Sequence, residues 1–398
     1  MRTQFENNTL TLYPEGRIDT NNAAEFEKEI MDAIAQAPGA SIILDAENIQ
    51  YISSSGLRVL MKLRKQANKA LPVLNVSQEI YEILDITGFT ELFDVRKALR
   101  EVSVEGCELI GSGANGQVYR LTKEEIVKVF RPTMTIDEIE AEREASRKAF
   151  LLGVPCAIAY DTVRVGGCYG TVYETLNAST VQERIREDPG RLPELAAASA
   201  KLLRELHNTE VPAGQMPAAD RLLHGTIDKI AENFTPEEVE KMHTLFRSIP
   251  AMDRFIHNDF HAKNVMEMGS GELMLIDLGD AGAGNPLIDL IHCCFVYQMM
   301  GSGVKTVTDD EMSFIGLTYG ELKAFWKIFL ETYCGDAEKA EVLNEKLLPF
   351  AKLNYLTVSM SSPRLPKEYH PIYADKIRRE VLSHYDEMLG SLNDILKD

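Results

Sequence analysis

The run from Phe255 to Met266, F-I-H-N-D-F-H-A-K-N-V-M, constrains the fold more than any other stretch of this chain. Two apolar pieces that read as short buried strands bracket a cluster of histidine, asparagine, aspartate and lysine. An unpaired charge is costly to bury, so the fold has to supply partners for these groups. Asp259 and Asn264 lie five residues apart in the loop, and 13 residues beyond Asn264 the string L-M-L-I-D-L-G-D places Asp277 at the end of an apolar strand. Phosphoryl transfer needs such a set. One carboxylate accepts the proton of the attacking hydroxyl, the part expected of Asp259. An amide oxygen and a second carboxylate hold Mg²⁺ against a nucleotide, the part expected of Asn264 and Asp277. Lys263 is placed to neutralise charge on the transferred group. His257 is expected to hold the loop through a ring hydrogen bond. A zinc pair with His261 lacks both a third ligand and an H-E-x-x-H helix.

Upstream, G-S-G-A-N-G-Q-V-Y spans Gly111 to Tyr119, with Gly111, Gly113 and Gly116 at G-x-G-x-x-G spacing and Val118 after them. A dinucleotide fold would open a helix here. Q-V-Y-R-L reads as a strand instead, so the string reads as a hairpin, either one lying over phosphates or an ordinary turn. In the next strand, E-I-V-K-V-F, Lys128 sits among apolar residues and needs an anionic partner; nucleotide phosphates would serve. The following helix offers Glu140, Glu142 and Glu144. Glu144, 16 residues past Lys128 and near the helix middle, is the expected carboxylate partner.

The order phosphate loop, lysine, helix carboxylate, D-x-x-x-x-N and metal aspartate is far more specific than any one of its parts. With L-L-R-E-L-H and L-I-D-L-G-D-A-G-A-G-N-P-L-I-D-L, it makes residues 107 to about 390 resemble the aminoglycoside phosphotransferase and choline kinase branch of the protein-kinase-like fold. The resemblance implies ATP and Mg²⁺ as cofactors and a small-molecule hydroxyl acceptor. It implies adenine binding through the backbone at Tyr173–Glu174–Thr175–Leu176, hence Glu174 and Leu176, and a loop-supporting role for Asp289. The family usually has H-G-D where this chain has Asn258. D-F-G and A-P-E are absent, unlike in a standard protein kinase.

A second stretch, N-I-Q-Y-I-S-S-S-G-L-R-V-L, sets three serines before a glycine at the start of an amphipathic helix. Serine is a favoured helix cap, and a helix N-terminus also suits a phosphate. With E-G-R-I-D-T, I-I-L-D and I-T-G-F-T-E-L-F, the first ~97 residues resemble the STAS domains of anti-sigma-factor antagonists. That resemblance implies a phosphorylation switch at Ser55, the serine before the glycine, and a regulatory protein partner. Ser53 stands where that family usually has aspartate.

The expected fold class is therefore α/β plus α+β: a STAS α/β domain at 1–97, then a two-lobed protein-kinase-like fold at 107–398, with an N-lobe at 107–174 and a C-lobe at 175–398. Strands alternate with helices in the first part, and the second passes from strand-rich to helix-rich. The formal net charge of −19 disfavours a nucleic-acid binder, which needs a surplus of Lys and Arg. No apolar run is long enough to span a membrane. The six cysteines form no C-x-x-C and read as reduced thiols, so a cytoplasmic protein is expected. Three functions remain: a small-molecule kinase, a signalling protein whose kinase part phosphorylates Ser55 in cis or on a partner, and a nucleotide-binding pseudoenzyme, which the intact Asp259, Asn264 and Asp277 argue against. The acceptor would be selected from about Pro286 onward, a region carrying Tyr297, Trp326, Tyr333 and many acids.

Overall fold

The alternating string T-L-T-L-Y forms a strand, but the chain begins one strand earlier. The computed structural model describes residues 1–67, 71–113, 115–299 and 308–393, so Ala114 of the glycine string lies outside the described residues. Strand β1 (Arg2–Glu6) returns through Asn7 and Asn8, at φ 47° and 61°, into β2 (Thr9–Tyr13). Asparagine tolerates that left-handed backbone, which suits a two-residue hairpin. β1 escaped the sequence reading because all five of its residues are exposed and show no alternation. There follow β3 (Gly16–Ile18), α1 (Ala23–Gln36), β4 (Ser41–Asp45), β5 (Ile49–Ile52) and α2 (Ser54–Ala67). Then come β6 (Pro72–Val76), α3 (Gln78–Ile86), β7 (Asp94–Lys97) and β8 (Arg100–Glu101).

The chain divides into two compact units, Met1–Val102 and Ser103–Asp398. In the first, the main sheet runs β1-β2-β4-β6-β7. Only β1 pairs antiparallel; the other pairings are parallel, and β3 and β5 make a separate parallel pair. Phe26 and Ile30 of α1, Leu57, Leu60 and Leu63 of α2, and Ile80 and Leu84 of α3 join Leu12 and Leu44 in one buried core. Asn22 stands at the cap position of α1 yet bonds elsewhere: Oδ1 accepts from Asp19 N (2.8 Å) and Nδ2 donates to Arg17 O (2.6 Å), stapling the approach to the helix.

In the second unit the glycine string forms the expected hairpin, β9 (Glu108–Ser112) and β10 (Gly116–Arg120). With β11 (Glu125–Phe130), β12 (Ala159–Val165) and β13 (Cys168–Glu174) it makes an antiparallel run in the order β12-β13-β11-β10-β9. Helix α4 (Ile136–Leu151) intervenes after β11, started by a capping box of Thr135 and Glu138. The register sets Val118 opposite Lys128 and Lys128 opposite Thr171, so these side chains share one face. The chain continues through β14 (Ala178–Thr180), α5 (Val181–Glu187), α6 (Leu192–Leu206), α7 (Arg221–Ile230) and α8 (Pro236–Arg247). Four short strands follow: β15 (Arg254–Ile256), β16 (Val265–Met268), β17 (Leu273–Leu275) and β18 (Gly282–Gly284). Helices α9 (Leu287–Cys294), α10 (Tyr319–Cys334), α11 (Ala337–Ser361), α12 (His370–Glu380) and the short α13 (Tyr385–Met388) follow in the helical part. Among the described residues, no helix is long and apolar enough to cross a membrane.

At Gly56, in the first turn of α2, an added Cβ would lie 2.7 Å from Ile52 Cγ1 and 2.8 Å from Ile18 Cγ2. Both neighbours are buried core residues with little room to shift. Gly56→Ala is expected to destabilise the first unit by about 1–3 kcal/mol, an overpacking cost read as a lower urea midpoint.

Candidate active site

The opening run becomes a loop, residues 257–264, strung between β15 and β16. Its backbone is held from beneath by Asp289, which is 0% exposed and accepts from His257 N (2.8 Å) and Asn258 N (2.7 Å). His207, at the end of α6, faces the same carboxylate through Nε2 at 3.1 Å, while its Nδ1 meets Tyr333 OH at 2.7 Å. Burial pushes the Asp289 carboxyl up, but His207 and the loop N–H groups outweigh it and hold it below the usual carboxylate range.

Asn258 explains its own departure from glycine. Its φ is +67°, a conformation that favours glycine and then asparagine. The amide Nδ2 donates to Ala219 O (3.1 Å) and Asp280 O (3.0 Å), which pins the turn. Asp259, next in the chain, receives Asn264 Nδ2 at 2.9 Å on both its backbone O and its Oδ2. On the other side, Oδ1 lies 3.2 Å from His292 Nε2 and 3.5 Å from His261 Nε2. His261 Nδ1 accepts from Lys263 N (3.3 Å), so a neutral ring carries its proton on Nε2, facing the carboxylate. Burial raises the Asp259 carboxyl, but His261, His292 and His257 overcome it and hold it ionised far below its ordinary value. Burial in turn lowers His261, which Asp259 only partly offsets. His257 plays the loop-holding part expected of it: Nδ1 accepts from Asp259 N (3.2 Å).

The β16–β17 hairpin pairs Val265 with Leu275, and Ile276 N donates to Asn264 O (3.0 Å). Asn264 and Asp277 are therefore carried at the base of one hairpin. Because Asn264 commits its Nδ2 to Asp259, its amide oxygen is left for another partner. Asp277, at φ +60°, gives only Oδ1 to Lys128 (2.8 Å) and is 39% exposed at its side chain. An amide and a carboxylate oxygen are hard donors, and they fit Mg²⁺.

Lys128 corrects one expectation. Its Nζ donates to Glu142 Oε1 at 2.7 Å, not to Glu144. Two residues along a helix is about 200° of rotation, so the two acids face opposite ways. Glu144 is paired at the surface with Arg147 (2.7 Å). The buried acid was hidden among solvated ones of the same type. The glycine of L-G-D makes room for it: a Cβ on Gly279 would strike Glu142 Cγ at 2.7 Å. Burial opposes the Lys128 charge, but Asp277 and Glu142 outweigh it and raise the pKa above that of free lysine. One ammonium serves two acids; burial, and the charge of Asp277, keep Glu142 above its usual value despite Lys128.

The remaining expected residues fall as follows. Gly116 is required by the protein itself, since a Cβ there would sit 2.1 Å from Val129 O. Gly113 has open space instead, and Gly111 faces Val118 at an ordinary 3.6 Å. Glu174 ends β13, with its carboxylate accepting from Ile158 N (2.7 Å), and Leu176 follows beyond the strand. Lys263 is not aimed at Asp259: its Nζ donates to Phe314 O (2.9 Å). Of the aromatics in the region expected to select the acceptor, Tyr297 and Trp326 are buried and Tyr333 is partly buried. Tyr297 OH accepts from Ala262 N (3.0 Å), Trp326 Nε1 donates to Asn344 Oδ1 (2.8 Å), and Tyr333 supports His207. Ser55 lies in the first turn of α2, half-buried, its hydroxyl 3.4 Å from Thr20 Oγ1. Among the residues the sequence reading passed over, His292 and His207 matter most. Glu142→Gln is expected to lower stability by about 1–3 kcal/mol, the cost of loosening a buried charged pair. Glu144→Gln should stay within about 0.5 kcal/mol of the parent, as for a surface pair; thermal melts measure both.

Residues 106–306 match the phosphotransferase enzyme family, APH, and residues 1–102 match the STAS domain. The anti-sigma-B factor antagonist of Staphylococcus aureus is 31% identical over 85 residues, which are 21% of this chain and 78% of that protein. Among solved structures, ADP-bound aminoglycoside phosphotransferase APH(2'')-Ib is similar at 16% identity and a TM-score of 0.48, over 78% of this chain and 99% of that one. An ethanolamine kinase of Plasmodium vivax is similar at 12% identity and a TM-score of 0.46, over 72% of this chain and 84% of that one. The phosphotransferase match spans more than half of the chain, residues 106–306 of 398, so the chain belongs to the phosphotransferase enzyme family.

Proposed function

We propose that the second unit transfers the γ-phosphoryl group of ATP to a hydroxyl of a small molecule. One observation carries this reading: Lys128, Glu142 and Asp277 meet at 2.7–2.8 Å while Asn264 both braces Asp259 and shares the hairpin of Asp277. Asp259, held ionised, accepts the proton of the acceptor hydroxyl as its oxygen bonds to phosphorus and the bond to the ADP oxygen breaks. Lys128 steadies the nucleotide phosphates. At Gly113, where an added Cβ would meet nothing within 4 Å, phosphate oxygens can approach the hairpin that Gly111 and Gly113 share, and Val118 would cover the base from the same sheet face as Lys128. Adenine would meet the backbone at Glu174 and Leu176. Mg²⁺, held by Asn264 and Asp277, would supply charge neutralisation between the phosphates. Lys263 joins the reaction only by leaving Phe314 O.

The STAS unit is the regulatory part of this reading, with Ser55 as its modification site and a protein as its partner. A half-buried hydroxyl in the first turn of α2 meets the positive end of a helix, where a phosphate's charge of roughly −1.5 to −2 is favoured. A second reading makes the kinase unit itself the donor of that phosphate, in cis or on a partner's STAS domain.

Purified full-length chain is expected to consume ATP over a panel of aminoglycosides, amino alcohols and sugars, with Asp259→Asn lowering kcat by about 10²–10⁴-fold. Turnover untouched by that substitution removes the mechanism. Phosphosite mapping after incubation with ATP separates the readings. Phosphate on Ser55 in the parent and not in Asp259→Asn establishes self-modification, and a bare Ser55 in both leaves the small-molecule reaction alone.

A further inference from the structure

We infer that His292 is a positioning residue that aims the Asp259 carboxylate, an inference that rests on the phosphotransferase reading above. Helix α9 carries Asp289 and His292 three residues apart, hence on one face. Asp289 takes the backbone N–H groups of residues 257 and 258, and His292 Nε2 lies 3.2 Å from the side chain of residue 259. A single rigid helix thus holds three successive residues of the loop, two by their backbone and the third by its carboxylate.

The two oxygens of Asp259 are held from different sides. Asn264 Nδ2 donates to Oδ2 at 2.9 Å, and His292 faces Oδ1. Two anchors fix the carboxylate plane; Asn264 alone would leave the group free to turn about that one bond. His261 stands 3.5 Å away, too far for a hydrogen bond of normal length, so its effect on Oδ1 is through charge and polarity. The His292 ring stands edge-on to Phe295, centroids 5.3 Å apart, and its side chain is 17% exposed. Its Nε2 is buried and, among the described residues, has the Asp259 carboxylate at 3.2 Å but no partner in hydrogen-bond geometry. A buried N–H without another partner is costly, so this carboxylate is the group it is placed to meet. The chemistry follows from aim: a base displaced by about 1 Å can lose 10²-fold in rate.

The test uses the full chain. His292→Phe keeps a ring in the space against Phe295 and removes the N–H; His292→Gln returns a donor near the Nε2 position. His292→Phe is expected to lower kcat by about 10–100-fold while KM for ATP stays within about twofold, and His292→Gln to recover most of the loss. Equal losses in both variants, an unchanged kcat, or a loss confined to KM would overturn the assignment. A second readout does not need turnover. With histidine ring ¹⁵N labels, the Nε2 signal of His292 is expected to shift in Asp259→Asn relative to the parent. An unmoved signal overturns the contact itself. A moved signal in a chain that consumes no ATP leaves the contact standing and removes the phosphotransferase reading alone.

Discussion

The second unit is organised around one buried carboxylate. Asp289 is entirely removed from solvent, and a lone charge there would be prohibitive. It is tolerated because two loop N–H groups and His207 converge on it, and because Tyr333 in turn braces His207. These contacts join α6, α9, α10 and the loop after β15. Removing one partner of such a set typically costs about 3–5 kcal/mol, since the others are left buried and unpaired. The loop's left-handed residue at Asn258 is part of the same arrangement, because both of its N–H bearing groups, backbone and amide, are occupied.

A second electrostatic knot ties the strand-rich part to that loop region. Lys128 comes from β11, Glu142 from α4 and Asp277 from the turn after β17. The three cannot be brought together unless backbone and side chain approach closely, and the glycine at 279 is where they do. Acid outnumbers base here: Asp259, Asp277 and Asp280 lie near one another, and Asp280 is pushed up by lost hydration and by the charge of Asp259, against Arg221. Such an excess of carboxylates favours cations.

Much of this is legible in the sequence. Asp259, Asn264 and Asp277 announce themselves because polar residues inside apolar surroundings must have a purpose, and the glycine spacing before a strand already reads as a hairpin. The helix acid was misplaced. Glu140, Glu142 and Glu144 are chemically alike, and only the direction in which α4 presents each one separates the buried partner from the surface pair. In the acceptor-selecting region, composition does not reveal that Tyr297, Phe325, Trp326 and Phe329 stack on one another in the core. His292 carried no signal at all. A histidine in an apolar helix looks like any other until the helix is docked against the loop.

Local order along the chain determined the class of fold, the hairpin, the loop and the identity of the oxygen donors, because strand and helix periodicities and the cost of burying charge are properties of short segments. Which acid meets Lys128, where the Lys263 amine goes, and what flanks the Asp259 carboxylate were decided only when separate elements of the chain packed together. Those contacts depend on distances of 3 Å between groups that no local rule connects.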